Sequence, residues 1–331
     1  MGVSEGAKDG PGGLTGLGPP LDVTVLMGGP SAERDVSVMS GTVIAEALEQ
    51  AGHTVVKSDI FPSNISALDR QGVDVVFIAL HGDFGESGQV QELCEQRGLR
   101  YVGSGPRASK LGMDKAAAKQ MFKQAGLKTP DWMIIEEYHN PRTVKRWLEE
   151  IPVPVVVKPV DGGSSIDITI ARSEKARDEA IEGLTDTYGR AMVERYLAGR
   201  ELTVGILGHE ALPVLEVVPA RDFYDYSAKY DDDSGTEYVF NHGLDVEVAA
   251  ATQAAALAAH RCLGCRDMSR VDFVLGDDGW PEVLEVNTIP GFTAHSLLPM
   301  AAGSAGIGLG ELADRLVRMA MLHEQPCPEA K

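Results

Sequence analysis

The sequence predicts a multi-domain protein of mixed α/β and α+β class. Residues 22–112 alternate buried-strand and helix patterns, the rhythm of a parallel sheet with crossover helices. Residues 113–198 mix helices with short strands, and from 199 onward strands precede a long helix. At 331 residues the chain is longer than one hydrophobic core usually organises, so two or three domains are expected.

The elements follow in order. DVTVLMGG reads as a short buried strand ending at Gly28-Gly29. Residues 31–51 have helical apolar spacing and stop at Gly52. VDVVFIAL, residues 73–80, is a second buried strand, and QVQELCEQR before Gly98 is a helix. Ligands of such sheets bind beyond the carboxyl ends of the strands, where Gly28, Gly29 and His81 stand. The next unit opens with the helix DKAAAKQMFKQAG, closed by Gly126, with Pro130 keeping the following stretch extended. VPVVVKP, residues 153–159, is a strand running into a loop of small residues, followed by a helix near 173–184 and the strand AMVERYL. A helix near 245–263, a hairpin and a last helix near 309–323 complete the chain.

Composition excludes several functions. Of the residues, 44% are hydrophobic, and 49 acidic residues against 30 basic give a formal net charge of -19. That field repels nucleic acid and anionic membranes, so neither is expected as a partner. No apolar run reaches the roughly 18 residues of a membrane span. The Gly- and Pro-rich first twenty residues lack the apolar core of a signal peptide and read as a disordered tail, so a cytoplasmic location is expected. Cys94, Cys262, Cys265 and Cys327 include one CxxC but no second pair at zinc spacing, and read as ordinary thiols.

The densest chemistry lies in SRVDFVLGDDGWPEVLEVN, residues 269–287. Asp278-Gly279 is a two-residue hairpin signal. That loop pairs Asp277 with Trp280, Asp272 with Glu285, Arg270 with Asn287, Val271 with Val286 and Phe273 with Leu284. Opposed side chains have Cβ atoms about 4.5–5.5 Å apart, so two carboxylates there need a proton, a cation or a metal between them. Two carboxylates and an amide oxygen suit Mg²⁺. The same residues also suit a half-exposed hairpin in which Arg270 neutralises the acids. The loop NTIPGFTAHS then offers Gly291 amides and the hydroxyls of Thr293 and Ser296 for a carboxylate or a developing oxyanion.

Lys158 ends a strand before Asp161-Gly162-Gly163-Ser164-Ser165, whose small residues let backbone N–H groups approach phosphate. This is no Walker A loop, and a plain hairpin turn fits the same residues. Lys115, after Asp114 at a helix start, reads as a solvated lysine on this view. Alternation puts Met192, Glu194 and Tyr196 on one strand face, where Glu194 is either a ribose acceptor or an exposed acid.

Seven segments taken together resemble the D-alanine–D-alanine ligases of the ATP-grasp superfamily, over about residues 22 to 320. They are GGPSAERDVS (28–37), IALHGDFGE (78–86), GSGPRASKLGMDK (103–115), VVVKPVDGGSS (156–165), FYDYSAKY (223–230), and SRVDF with LEVNTIPGFTAHSLLPM (269–273 and 284–300). The resemblance implies a three-domain ATP-grasp architecture: a tail to residue 21, an N-terminal parallel α/β substrate domain (22–112), a central domain (113–198), a C-terminal catalytic domain (199–323) and a tail (324–331). It implies that Lys115 and Lys158 meet ATP phosphates, with Ser165 and Lys229 also on the nucleotide, and Glu194 and Glu201 by adenine and ribose. Asp272, Glu285 and Asn287 would hold two Mg²⁺ ions, or Mn²⁺. Glu33 would bind the ammonium of the first D-alanine beside His81, and Ser296 and Leu297 the carboxylate of the second. Arg270 and the Gly291 amide would stabilise the oxyanion. Ser164 and Tyr230 would link to Glu33, with Tyr230 on a closing loop. A homodimer is implied likewise.

The implied chemistry is activation of a carboxylate as an acyl phosphate, attacked by the second amine behind a lid that excludes water. Three departures stand out. Ile166-Asp167 replaces the family's usual Val-Gly, and a solvated carboxylate near triphosphate costs ATP binding about 1 kcal/mol. GDFGESGQVQE departs from the commoner GEDG pattern that supports His81, and Phe240-Asn241-His242 replaces Cys-Pro-Ala. The alternatives are a D-serine or D-lactate ligase, against which Lys229-Tyr230 argues, another ATP-grasp ligase, and a non-catalytic nucleotide-binding module.

Overall fold

Apolar residues on both faces of DVTVLM make a strand that must be covered twice, and it lies at the centre of the first sheet. The structure, a computed structural model, describes residues 18–163, 166–220, 235–240, 243–276, 278–293 and 295–325. Ser164, Ser165, Lys229, Tyr230, Asn241, His242, Asp277 and Cys327 lie outside the described residues, as do most of both expected tails.

The first sheet joins β1 (Asp22–Met27), β2 (Thr54–Asp59), β3 (Val75–Ile78) and β4 (Tyr101–Val102). Its order is β2-β1-β3-β4 and every pair is parallel, as the alternating pattern predicts. On one face Val25 and Phe77 pack with Ile44 and Leu48 of the helix Arg34–Gln50. The same core takes Leu312, Leu316 and Val317 from the last helix, Leu309–Met321, which thus returns to the first sheet. Leu26, Ile78 and Leu80 form the other core with Val90 and Cys94 of the helix Gln89–Glu95.

The second sheet, ordered β5-β8-β6-β7, is antiparallel and joins β5 (Trp132–Glu136), β6 (Val155–Lys158), β7 (Thr169–Ala171) and β8 (Arg190–Arg195). Val155, Val157, Ala191 and Val193 pack under the helices Pro141–Glu150 and Glu174–Tyr188. Alternation turns Lys158 and Glu194 to the opposite face, and Val156 pairs Glu194 while Lys158 pairs Met192.

The third sheet runs β12-β11-β9-β13-β14, with β10 on β9. Its strands are β9 (Gly199–Leu207), β10 (Glu210–Ala211), β11 (Leu215–Val218), β12 (Glu237–Val239), β13 (Met268–Gly276) and β14 (Pro281–Asn287). Leu202, Val204, Val271, Phe273 and Val283 face a core with Ala256 and Ala259 of the helix Val246–Leu263. Ala118 and Phe122 of the helix Lys115–Gln124 join them. The other face of β9 and β13 carries Glu201, Thr203, Arg270 and Asp272 toward the second sheet.

The hairpin register is half as predicted. Arg270 pairs Asn287, Val271 pairs Val286 and Asp272 pairs Glu285. Beyond Asp272 a bulge shifts the ladder, so Phe273 meets Val283 instead of Leu284, and Leu275 meets Pro281. The loop is therefore longer than Asp278-Gly279. Gly279, at φ +75°, returns its N–H to Gly276 O at 3.0 Å, as in longer hairpin loops closed by a left-handed residue.

Candidate active site

Two cavities meet at the seam of the three sheets. The larger, about 440 Å³, lies between the second and third sheets and is lined by Lys115, Lys158, Glu194, Glu201, Asp272 and Glu285 among others. A smaller one of about 80 Å³ reaches the first sheet and is lined by Glu33, His81, Glu86, Arg270, Asn287 and Gly291 with its neighbours. A third, about 150 Å³, joins Lys115 and Lys158 to Gly162, Gly163 and Glu285.

Local structure sets each group in place. Asp114 caps the helix Lys115–Gln124 by accepting from Ala117 N at 2.9 Å, which fixes where Lys115 begins. Lys115 is buried, not solvated: its N–H donates to Val160 O at 3.0 Å and its ammonium donates to Gly162 O. The helix start is thus tied to the loop after β6. Glu194 is buried as well, and Lys158 Nζ donates to its Oε1 at 2.7 Å. Burial works to raise its pKa, but Lys158 and Lys119 outweigh burial and hold it below the ordinary carboxylate range.

Asp272 and Glu285 face each other across β13 and β14, with Asn287 two residues further along. Arg270 clamps Asp272, Nε to Oδ1 at 2.9 Å and an Nη to Oδ2 at 2.7 Å, and Thr203 Oγ1 donates to Oδ1 at 2.7 Å. Asn287 Oδ1 accepts from Ile289 N at 3.0 Å and keeps a second lone pair. Among the described residues no group of three or more His, Cys, Asp or Glu could hold a metal. A pair of carboxylates with an amide oxygen does fit a hard cation that takes its remaining ligands from water and phosphate, which is how Mg²⁺ is usually bound. Arg270 and the carboxylate pair therefore share one face of the sheet.

Glu33 precedes the helix Arg34–Gln50 and is buried at the mouth of the small cavity. Ser31 fastens it to the next strand end: Ser31 Oγ accepts from Glu33 N at 3.2 Å and donates to His81 O at 2.7 Å. The loop after β6 closes in from the other side, and a Cβ at Gly163 would stand 3.8 Å from Glu33 Oε2. Burial, then Arg270, pushes His81 down to about 4, so it is neutral at pH 7, with Nε2 3.3 Å from Ser40 Oγ.

Ser296 approaches Gly291 but its hydroxyl is held in its own turn, accepting from Thr293 N at 3.0 Å. Ser296 stands at the N-cap position of the helix Leu297–Ser304 without a side-chain cap bond, while the Leu297 side chain is buried against Leu215 and Val217. Neither lines the small cavity.

Two groups escaped the sequence reading. Glu86 lines the small cavity, accepts from Gly82 N at 2.7 Å, and is pushed up to about 8 by burial and then by Glu33. Lys119, fully buried, stands 2.5 Å from Glu194 Oε2. Its spacing of four from Lys115 puts both on one helix face, which was the available signal. Asp167 has φ +56°, the conformation that favours glycine, and Tyr188 Oη donates to its carboxylate.

A cleft between two sheets, with lysines on one wall and paired carboxylates on the other, fits the ATP-grasp class that the resemblance implies. The sequence profiles described as D-ala D-ala ligase N-terminus and C-terminus match residues 58–104 and 121–318. A D-alanine–D-alanine ligase of Synechococcus is 40% identical over 309 residues, 92% of this chain and 94% of that one. The structure of the Bacillus anthracis D-alanine–D-alanine ligase complexed with ATP has a TM-score of 0.80 at 31% identity, covering 92% of this chain and 98% of that one. The VanG D-Ala:D-Ser ligase of Enterococcus faecalis also scores 0.80, at 27% identity, covering 91% and 100%. The chain belongs to the D-alanine–D-alanine ligase family.

Proposed function

We propose that this protein joins two D-alanines into D-alanyl-D-alanine at the expense of ATP, releasing ADP and phosphate, for peptidoglycan precursor synthesis. Family membership supports the reaction, and it is an ATP-dependent ligase that uses ATP with magnesium. The observation that carries the site is the meeting of Lys115, Lys158, Asp272 and Glu285 on one cavity that opens toward Glu33 and His81.

Lys115 and Lys158 meet the phosphates, and Glu194 and Glu201 lie by adenine and ribose. Asp272, Glu285 and Asn287 would hold Mg²⁺, two ions by the family pattern, with Mn²⁺ as a substitute. The metal supplies charge neutralisation on the triphosphate. Glu33 takes the ammonium of the first D-alanine, and neutral His81 lies beside it. Its carboxylate, once phosphorylated, is a good acyl donor, and Arg270 with the Gly291 amide faces the oxyanion formed when the second amine attacks. Arg270 must leave at least one oxygen of Asp272 to do so. The amide end of the helix Leu297–Ser304, at Ser296 and Leu297, receives the second carboxylate through backbone groups. Ser164, Ser165, Lys229 and Tyr230 keep the roles the resemblance gives them: Ser164 and Tyr230 join Glu33, Ser165 and Lys229 the nucleotide. The three sheets correspond to the three domains, the protein works in the cytoplasm, and it forms a homodimer.

ADP release with ATP, Mg²⁺ and D-alanine, with products identified by mass spectrometry and D-serine and D-lactate as competitors, tests this. D-Alanyl-D-alanine as the main product supports the reading. A mixed product moves the specificity to D-serine or D-lactate, and nucleotide binding without turnover overturns it.

A further inference from the structure

Glu194 is a buried carboxylate between two lysines from different elements. Lys158 Nζ donates to Oε1 at 2.7 Å, and Lys119 Nζ stands 2.5 Å from Oε2. Lys158 and Glu194 line the large cavity, whereas Lys119 is fully buried behind them. Lys119 also donates to Thr129 Oγ1 at 2.6 Å and to Pro130 O at 3.4 Å, and lies 5.5 Å from the centroid of the Trp132 ring. Thr129 passes the contact on, donating to Val283 O at 2.7 Å. The ammonium is thus pinned between the helix Lys115–Gln124, β8 and β14.

A buried ammonium is costly, and a methionine would fill the same space without that cost. The charge acquires a purpose when Lys158 moves. A phosphate that draws Lys158 Nζ toward itself weakens the hold on the carboxylate it rests on, and a buried carboxylate short of counter-charge is strongly unfavourable. We propose that Lys119 is a positioning residue of the nucleotide site: it holds the charge of Glu194 so that Lys158 can leave that carboxylate for a phosphate of ATP. This rests on reading the large cavity as the ATP site. The charged groups facing Lys119 are Glu194, Lys158 and Glu282. Burial brings Lys119 down to about 8 against the opposing pull of Glu194, so it starts to lose its proton a little above neutral pH. When it does, Glu194 keeps Lys158 and nucleotide affinity falls.

The test is calorimetric binding of the magnesium complex of a non-hydrolysable ATP analogue, from pH 7 to pH 9. Lys119→Met raises Kd about tenfold or more at pH 7, while the KM for D-alanine stays within about twofold. In a Glu194→Gln background the same substitution adds less than about twofold, because no charge remains to be held. A merely structural role weakens both backgrounds alike and overturns the proposal, as does an unchanged Kd in folded Lys119→Met. If that variant does not fold, the pH profile decides. The unsubstituted enzyme loses affinity toward pH 9 and Lys119→Arg, permanently charged, does not. Identical profiles refute the idea. Lys158→Ala separates the two levels: an unchanged Kd there overturns the site reading itself, whereas a raised Kd there beside an indifferent Lys119→Met overturns only the role of Lys119.

Discussion

Replacing Thr203 by valine removes one hydroxyl from the wall of the carboxylate pair and little else. Both residues are β-branched and of similar size, so strand β9 keeps its shape. The lost bond runs from Thr203 Oγ1 to Asp272 Oδ1 at 2.7 Å; the same hydroxyl has Val271 O as a poorer alternative at 3.3 Å. A hydrogen bond to a charged group contributes about 1.5–3 kcal/mol. Asp272 Oδ1 still accepts from Arg270 Nε at 2.9 Å, so the oxygen is not stripped and the low end, about 1.5 kcal/mol, applies. On the proposed assignment magnesium would compete with Arg270 for this carboxylate, whereas Thr203 could keep its bond with the metal in place. Its contribution is therefore larger in the metal-bound enzyme. The Mg²⁺ concentration for half-maximal activity should rise about three- to tenfold, since 1.4 kcal/mol is one decade. Initial rates of ADP release against free Mg²⁺, at saturating ATP and D-alanine, measure it. An unshifted Mg²⁺ curve in a folded Thr203→Val enzyme would refute the assignment of Asp272 to the metal or of Thr203 to its support.

Glu86→Gln should flatten a pH dependence. The folded-state pKa of Glu86 is raised to about 8, so its contribution to stability is present below the ordinary carboxylate range and is lost as pH rises toward 8; melting curves from pH 5 to 8 should show less decline in the variant. Asp167→Gly removes the cost of a non-glycine residue at φ +56°, about 1 kcal/mol, together with the Tyr188 bond of similar worth. Stability should change by less than about 1 kcal/mol in denaturant titration, while ATP affinity improves by up to about fivefold if the carboxylate acts on the triphosphate; tighter binding of an ATP analogue is the readout, and none would show that Tyr188 holds the charge away. Leu316→Ala, at a fully buried position of the last helix, should cost about 2–5 kcal/mol in the same titration.

Parts of this site were legible because strands repeat every two residues. The opposition of Asp272 and Glu285 follows from counting along the hairpin, and the count survives an error in the loop because the bulge after Asp272 offsets it. Nothing local announces that bulge: Leu284 looks like any alternating apolar residue. Burial of Lys115 could not be read either, because its partner, the Gly162 carbonyl, lies 47 residues away. Burial of Glu194 is hidden from the sequence for the same reason, since both lysines that hold it come from other elements. Glu86 stands inside a recognisable segment, but its raised pKa comes from burial and from Glu33, with Arg270 opposing, and only the assembled sheets bring these near. The glycine usual at position 167 becomes intelligible from the backbone angle there, which pairwise sequence comparison does not display.

The return of the helix Leu309–Met321 to the first sheet has a consequence for synthesis on the ribosome. Leu312, Leu316 and Val317 complete the core built by Val25, Ile44 and Leu48, and buried Asp314 meets His53 Nε2 at 2.7 Å. The parallel sheet therefore emerges first but cannot close its hydrophobic face until some 200 residues of later chain have been made. Until then its apolar face stays open, while the second sheet can fold around a core of its own and the third around the larger part of one. A nonsense codon that removes only the last helix should then open the core of the first sheet and leave the second sheet standing, as limited proteolysis of the truncated chain would show.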